Sequence, residues 1–508
     1  MSLFPQAPRA ARATSATSAR SVAPPAGAPR ESLLVFSDVH LGSDLNDHGT
    51  SPRRSHGIDS DLTKLLRHYA ATPPVGERWR VVIAGDFIDF IGMTVKEEAG
   101  HALSTALTDE EHRHGLGSAA DHARAKLRRV VQRHGEVFDA LSALVARGHA
   151  LTLVHGNHDV EFHWDELKAD FRQELLARAQ ADAQHGEAID AADFLARIEF
   201  EPWFYYWKNV AYIEHGHQYD PYCASEHVMA PLSPLDPRRV MHGFSSTLLR
   251  YVVRQTHGMK EHGHEHLGVF DYVAFGLRLG VRGVGGLVSR FAAAVAELFA
   301  LRRAHFHEAM TTLKSEHERR VALLAEASRL GKDRLRALAA LQAQPVTRSI
   351  PGILGSVLLD RLALGLLASI ALAVVAVIGV FHGRVLYGAL GVLAAWVIAH
   401  RYLSMQRQLD PAEEMAARAG TLARLLPAAF VVMGHTHIPV QQPVHDGAAT
   451  YINLGSWAEE EELDPKHGRE AYRAARTHLV IELDPANADA PRAELRAWQG
   501  EAPRKYET

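Results

Sequence analysis

The sequence predicts an α/β layered domain split by a long helical insertion. Three observations lead there. Short apolar runs of strand type alternate with helical stretches in residues 31–220, and the pattern resumes after 428. Several of these runs end in residue types that bind metals. Between the two halves, residues 225–419 read as largely helical and contain two uncharged apolar stretches.

Length and composition set the frame. A chain of 508 residues is too long for one ordinary core. Its hydrophobic fraction of 47% and charged fraction of 22% are those of a globular protein. Fifty-five basic against 59 acidic side chains leave a formal net charge of -4, which offers no broad cationic surface for nucleic acid. The single cysteine, Cys223, excludes an internal disulfide and fits a reducing compartment. With 32 histidines, a histidine carries meaning only through spacing and context.

Residues 1–30 are rich in Ala, Pro, Ser and Arg and lack an acidic residue until the segment ends, so a disordered basic tail without a signal-peptide core is expected. Such a start also resembles an organellar transit peptide, but Pro24, Pro25 and Pro29 break up any amphipathic helix there. The first part of the α/β domain is placed at 31–224. Ser32–Ser37 is a buried type of strand ending in Asp38-Val39-His40. A helix follows over 59–71, with Leu62, Leu65, Leu66 and Tyr69 on one face. Arg80–Ala84 is a second strand, ending in Gly85-Asp86-Phe87-Ile88-Asp89. A helical stretch over 121–147 leads to the strand 150–154 and the turn Gly156-Asn157-His158-Asp159. Val210–Glu214 runs into His215-Gly216-His217. In open α/β sheets, sites collect at the carboxyl ends of strands, where these motifs fall.

The insertion, 225–419, supplies no recognisable metal motif. Residues 267–300 are Gly-rich and apolar but interrupted by Arg278, Arg282 and Arg290, and 303–343 look like one long charged helix. Leu362–Phe381 is uncharged and long enough to cross a bilayer core. His382-Gly383-Arg384 follows, then a second apolar run, Val385–Ala399, which reaches spanning length by including Tyr402 and Leu403 while His400 and Arg401 snorkel. A membrane hairpin over about 353–403 is expected; a buried helical hairpin is the alternative. The second part of the α/β domain is placed at 420–485. There Ala429–Met433 ends in Gly434-His435-Thr436-His437, and 449–453 and 478–483 are closing strands. Residues 486–508 are read as a C-terminal tail.

The ordered set Asp38-x-His40, Gly85-Asp86, Gly156-Asn157-His158-Asp159, His215-Gly-His217 and Gly434-His-Thr-His437 resembles the calcineurin-like metallophosphoesterases in motif order and residue type. The match covers 31–220 and 428–483, about half the chain. It implies an αββα sandwich and two divalent ions. One would be held by Asp38, His40, Asp86 and His437; the other by Asp86, Asn157, His215 and His435, with Asp86 bridging. His158 would be the catalytic histidine, the alternative being a histidine beside the ligands with no part in catalysis. His215 is taken as the ligand because it lies nearest the strand end, His217 being the alternative. Asp89 and Asp159 would orient histidines or cap the turn. Asn453-Leu-Gly-Ser456 resembles the family's closing segment and would pack beside the site.

The residue types support the same chemistry without the family. Carboxylates and imidazoles without thiolates in any loop suit manganese as the expected ion, with iron or zinc as alternatives. Two such ions can polarise a phosphoryl group and activate water for in-line displacement. No substrate-binding residue is assigned; Arg53 and Arg54 offer phosphate contacts or a solvated loop.

A narrower resemblance is to the UDP-diacylglucosamine pyrophosphatases, which share the Asp-x-His and Gly-His-Thr-His loops. The chain departs from them with His158 and Ile438, where that group is expected to carry arginines, so the likeness carries the chemistry and not the substrate. The expectation is a two-metal phosphoester or pyrophosphate hydrolase with its catalytic halves cytoplasmic, acting at a membrane on a lipid-linked phosphoester. A nuclease or cyclic-nucleotide phosphodiesterase is the enzymatic alternative, and a membrane scaffold with an inactive hydrolase domain the alternative of another class.

Overall fold

The computed structural model describes residues 30–47, 57–72, 74–75, 78–97, 102–183, 189–256, 269–357, 359–382, 385–405, 411–458, 475–484 and 487–507. Arg53, Arg54, Arg384, Arg407 (expected with Arg348, Arg361 and Arg401 to mark the positive flanks of the hairpin) and the expected tail at 1–29 lie outside them.

Among the described residues, twelve strands form two mixed sheets. They are β1 (Glu31–Phe36), β2 (Arg78–Ala84), β3 (Ala150–Val154), β4 (Ile198–Glu201), β5 (Phe204–Trp207), β6 (Ala211–Glu214), β7 (Phe430–Met433), β8 (Val440–Val444), β9 (Ala449–Asn453), β10 (Thr477–Asp484), β11 (Asn487–Trp498) and β12 (Pro503–Lys505). The first sheet runs β12-β11-β10-β1-β2-β3-β4, with β1 to β4 parallel and β10 antiparallel to β1. The second runs β5-β6-β7-β9-β8, with β6, β7 and β9 parallel.

Alternation along the strands decides which side chains meet which layer. Leu33 and Val35 of β1 join Val82, Ala84, Ile213, Val432, Ile452, Leu479 and Ile481 in a buried cluster fed by both sheets. Leu34 and Phe36 point the other way, into a cluster with helices Ile58–Ala71, Ala120–Arg133, Gly135–Ala146 and Asp165–Asp182. On the second sheet, Tyr212, Val431, Met433 and Tyr451 pack against Val321, Leu324, Leu335, Leu338, Met415 and Leu422. Helices of the expected insertion therefore cover the second sheet.

Several elements differ from the sequence reading. The helical stretch 121–147 is two helices meeting at His134, and 303–343 breaks at Arg329–Gly331, where both end residues take positive φ. The expected tail at 486–508 carries β11 and β12, because β11 pairs along β10 in antiparallel register. Among the described residues, 225–419 contains no strand.

Among the described residues, three helices are long and apolar enough to cross a membrane: Arg282–His305, Leu359–Ile378 and Val385–Leu403. The last two lie against each other, and Gly388 sits on Val375 with no room for a larger residue. No described residue of their apolar windows is buried within the fold, as suits helices that associate with a membrane. The first helix lies where the sequence reads as an Arg-interrupted apolar stretch and not as a candidate span. Its Ala294 and Leu298 are buried against Tyr251, Val252, Phe244 and Ile353.

One buried histidine of β10 gives the fold a measurable pH dependence. His478 accepts or donates a 2.9 Å bond with Tyr69 Oη. Burial, helped by Arg496, pushes it down to about 3. The unfolded chain takes up this proton near its ordinary value while the fold does not, so stability is full above that value and is lost as pH falls from about 6.5 toward 3. By pH 5 the loss is about 2 kcal/mol. The melting temperature of the native chain should fall relative to that of His478→Gln between pH 7 and pH 5. A difference that does not change with pH would contradict this.

Candidate metal centre

The site sits where strand ends of both sheets meet. Asp38 and His40 follow β1, Asp86 follows β2, Asn157 and His158 follow β3, His215 follows β6, and His435 and His437 follow β7. Residues from 38 to 437 thus come together because β1, β2 and β3 are neighbours in one sheet and β6 and β7 in the other. Loop pairings fix their register: Val39 and His40 donate from their backbone nitrogens to Asp86 O, and Gly434 N donates to His215 O.

Two buried carboxylates form the centre. Asp38 Oδ1 is 3.1 Å from His437 Nε2 and 4.0 Å from both His40 Nε2 and His215 Nε2. Asp86 Oδ2 is 3.2 Å from His215 Nε2 and 3.6 Å from His40 Nε2. Three groups here could each hold a metal ion: Asp38–His40–His437, Asp38–Asp86–His215 and His40–Asp86–His158. Asn157 Oδ1 lies 3.1 Å from His215 Nε2 and so borders the second of them. Gly156 brings its loop onto Asp86 so closely that any side chain would strike the Asp86 carboxylate.

The backbone is strained at the same residues. Asp38, His40, Asp86, His435 and His437 all have φ between 52° and 70°, the left-handed region that residues with a Cβ rarely adopt. Each costs on the order of 1 kcal/mol or more and persists only where the surroundings impose it, a cost that clusters at functional sites.

The electrostatics fit a cation. Burial, and then His158, push His40 down to about 3, so its imidazole is neutral and has a lone pair to give. Both its ring nitrogens are buried without a hydrogen-bond partner among the described residues, which is unusual for buried polar atoms. Burial alone would lower His215, but Asp86 and Asp38 outweigh it and raise it to about 9. The carboxylate pair therefore favours positive charge at the position that Nε2 of His215 faces. The His215 Nδ1 is fixed by Ala84 O at 2.9 Å, so Nε2 faces the carboxylates. On these observations the residues present fit divalent metal.

The remaining candidates are placed as follows. His217 hydrogen-bonds Gln218 and joins none of the metal-holding groups, whereas its neighbour His215 does. His435 has its ring 5.3 Å from that of His215, but its Nε2 bonds Asp220 Oδ2 at 3.0 Å. It falls in a separate group with Asp220 and Cys223, and not with Asp86 and His215. Asp159 accepts from Gly156 N at 2.6 Å and Phe87 N at 2.8 Å, tying two ligand loops together. Burial, and then the Asp86 charge, raise its carboxyl to about 7. His158 Nδ1 bonds Asp89 Oδ1 at 2.7 Å, and Asp89 Oδ2 meets Arg254 at 3.0 Å. Asn453 Nδ2 donates to Gly434 O at 2.6 Å, and Ser456 Oγ to Asp38 O at 3.3 Å, so the closing segment braces the centre.

Sequence reasoning missed Asp220, Cys223 and Arg254. The first two follow His215 within eight positions and offered a spacing that could have been read; Arg254 lies in a helical stretch with no motif around it. A cleft opens beside Asn157 and His217 and runs between insertion residues including Leu232, Met241, Met310 and Leu313. A scan against protein-family models and a search of curated proteins found no match to the chain.

Proposed function

We propose that the chain is a calcineurin-like metallophosphoesterase, an αββα sandwich that hydrolyses a phosphoester or pyrophosphate bond with two divalent ions at the cytoplasmic face of a membrane, on a lipid-linked substrate. The observation that carries this reading is the meeting of Asp38, His40, Asp86, His158, His215 and His437, from five strand ends, in overlapping groups that could hold metal. Asp38, His40, Asp86 and His437 would hold one ion; Asp86, Asn157, His215 and His435 the other. Asp220 accepts the Nε2 proton of His435 in that arrangement, which leaves Nδ1 as the donor atom. When bound, the ions would supply Lewis acidity toward a phosphoryl oxygen and toward the attacking water. The part of this chain's own residues is positional and protic. Asp89 holds Nδ1 of His158, so Nε2 is the atom turned to a leaving oxygen, and His158 would donate its proton there.

Two features support a membrane substrate. The paired apolar helices Leu359–His382 and Val385–Met405 expose Leu366, Leu367, Val377, Leu386 and Ile398. A hairpin returns to its starting side, where Arg348, Arg361 and Arg401 lie, and positive flanks favour the cytoplasm. The cleft beside Asn157 and His217 has mixed walls, whose apolar part from Leu232, Met241, Met310 and Leu313 would suit an apolar substrate portion.

The test uses the full chain, loaded with manganese, on a panel of lipid-linked diphosphate, cyclic nucleotide and DNA. Turnover highest on the lipid-linked compound and lost on chelation is expected. Preference for cyclic nucleotide or DNA would favour the alternative enzymes, and no turnover with two ions bound would favour the scaffold. Carbonate washing of membranes should leave the protein in the pellet. Its release intact into the soluble fraction would remove the anchor and the reason to favour a lipid.

A further inference from the structure

We propose that Arg254, from the helical stretch between the two halves of the sheet domain, is a positioning residue for His158, acting through Asp89. This rests on the hydrolase reading above for its chemistry, and on geometry for its existence.

The contacts form a chain. Arg254 Nη2 meets Asp89 Oδ2 at 3.0 Å, and Asp89 Oδ1 meets His158 Nδ1 at 2.7 Å. The guanidinium is locked at its other end, where Nη1 donates to Ser43 O at 2.9 Å. Gly92 N donates to Asp89 Oδ1 at 2.7 Å, so both carboxylate oxygens are committed. Asp89 is wholly buried and Arg254 is 5% exposed. The packing is closed: a Cβ at Gly92 would strike both the Asp89 carboxylate and the Arg254 guanidinium.

A buried carboxylate with one histidine partner could swing about its Cβ–Cγ bond and take His158 with it. A guanidinium on the second oxygen removes that freedom, because its planar fork fixes the direction of approach. Burying such a pair is costly, several kcal/mol per ion before compensation, and replacing it by apolar residues is often neutral or better for stability. Its position is therefore better explained by what it orients. The order donor–carboxylate–imidazole is the arrangement that holds a proton-transferring histidine in one tautomer.

The source of Arg254 matters as well. It follows the π-helical turn Leu249–Val253, to which its backbone nitrogen bonds at Leu249 O over 2.9 Å. Tyr251 and Val252 of that turn pack on Ala294 of the apolar helix Val269–His305. The helical stretch thus completes the support of His158 as well as carrying the candidate spans.

In the step this serves, water oxygen forms a new bond to phosphorus as the bond from phosphorus to the leaving oxygen breaks. The electron pair of that bond goes to the leaving oxygen, which takes the proton from His158 Nε2. The attacking water gives up its proton to bulk solvent, from which His158 Nε2 is reprotonated, and His158 keeps its Nδ1 proton, hydrogen-bonded to Asp89, throughout.

Two measurements on the full chain test the proposal, the rates with manganese bound and the proton resonance with diamagnetic zinc in its place, since manganese would broaden a resonance so close to it beyond detection. In the first, Arg254→Ala and Arg254→Lys are compared on an alkyl phosphoester, whose leaving oxygen needs a proton, and a p-nitrophenyl phosphoester, which leaves without one. Arg254→Ala should lose about 10- to 100-fold in kcat on the alkyl ester, less than about threefold on the nitrophenyl ester, and little in KM. Added guanidinium should restore the alkyl rate, and Arg254→Lys should fall between, since an ammonium cannot reach Asp89 and Ser43 O together in the same fork. Equal losses on both esters would overturn the proposal. The second measurement needs no turnover: the Nδ1 proton of His158, assigned by its loss in His158→Asn, is followed as a slowly exchanging imidazole resonance. It should broaden or vanish in Arg254→Ala and Arg254→Lys while the melting temperature stays above the temperature of measurement. An unchanged resonance would overturn the proposal even if the chain hydrolysed neither ester, an outcome that would refute the hydrolase reading alone.

Discussion

Asp86→Asn should abolish turnover, with kcat down by at least about 10³-fold, and should weaken binding of both metals. The substitution keeps the side chain's shape and an acceptor for His158 N, which now donates to Asp86 Oδ1 at 2.9 Å. What it removes is the negative charge that lies 3.2 Å from His215 and 3.6 Å from His40. In the proposed arrangement that carboxylate belongs to both ligand sets, so no other single residue should cost as much. The check is metal content per chain beside the rate on a phosphoester. Two ions still bound, with a rate near that of the native chain, would show that Asp86 is not the shared ligand.

His158→Asn is the second large effect and has the opposite signature. Metal content should be unchanged, and the rate should fall by about 10²-fold or more, as for loss of a general acid. The distinction is needed because His158 lies close enough to His40 and Asp86 to be counted with them as a metal-holding group, its ring 4.6 Å from that of His40. Its Nδ1 is taken by Asp89, which favours orientation for proton transfer. Loss of an ion from His158→Asn would make it a ligand and would remove the proton donor from the mechanism.

Much of the centre was legible because it is built from short local patterns. A buried strand that stops at Asp38-Val39-His40 or at Gly434-His435-Thr436-His437 places two side chains able to bind metal at one strand end, and strand order brings Asp38, His40 and His437 together. Contacts that depend on distant chain packing were not legible. Nothing about Arg254, within a run of apolar helical residues, points to Asp89 at 165 positions' separation. Asp220 lay nearer, but its use depends on which nitrogen of His435 it meets. At the level of fold, helical periodicity continued across His134 and Arg329–Gly331, so single helices were expected where the chain turns. Strand β11 was hidden by Pro491 and by charged residues such as Arg492, Glu494 and Arg496, which are tolerated near a sheet's edge and read as solvated chain. The helix Val269–His305 looked interrupted by its arginines, yet its last 24 residues are apolar enough to span.

The most direct measurement is anomalous X-ray scattering at the manganese edge from crystals of the full chain grown with that ion. The account predicts two peaks sharing Asp86, one among Asp38, His40 and His437 and one among Asn157, His215 and His435. A single peak, or peaks remote from Asp86, would contradict it.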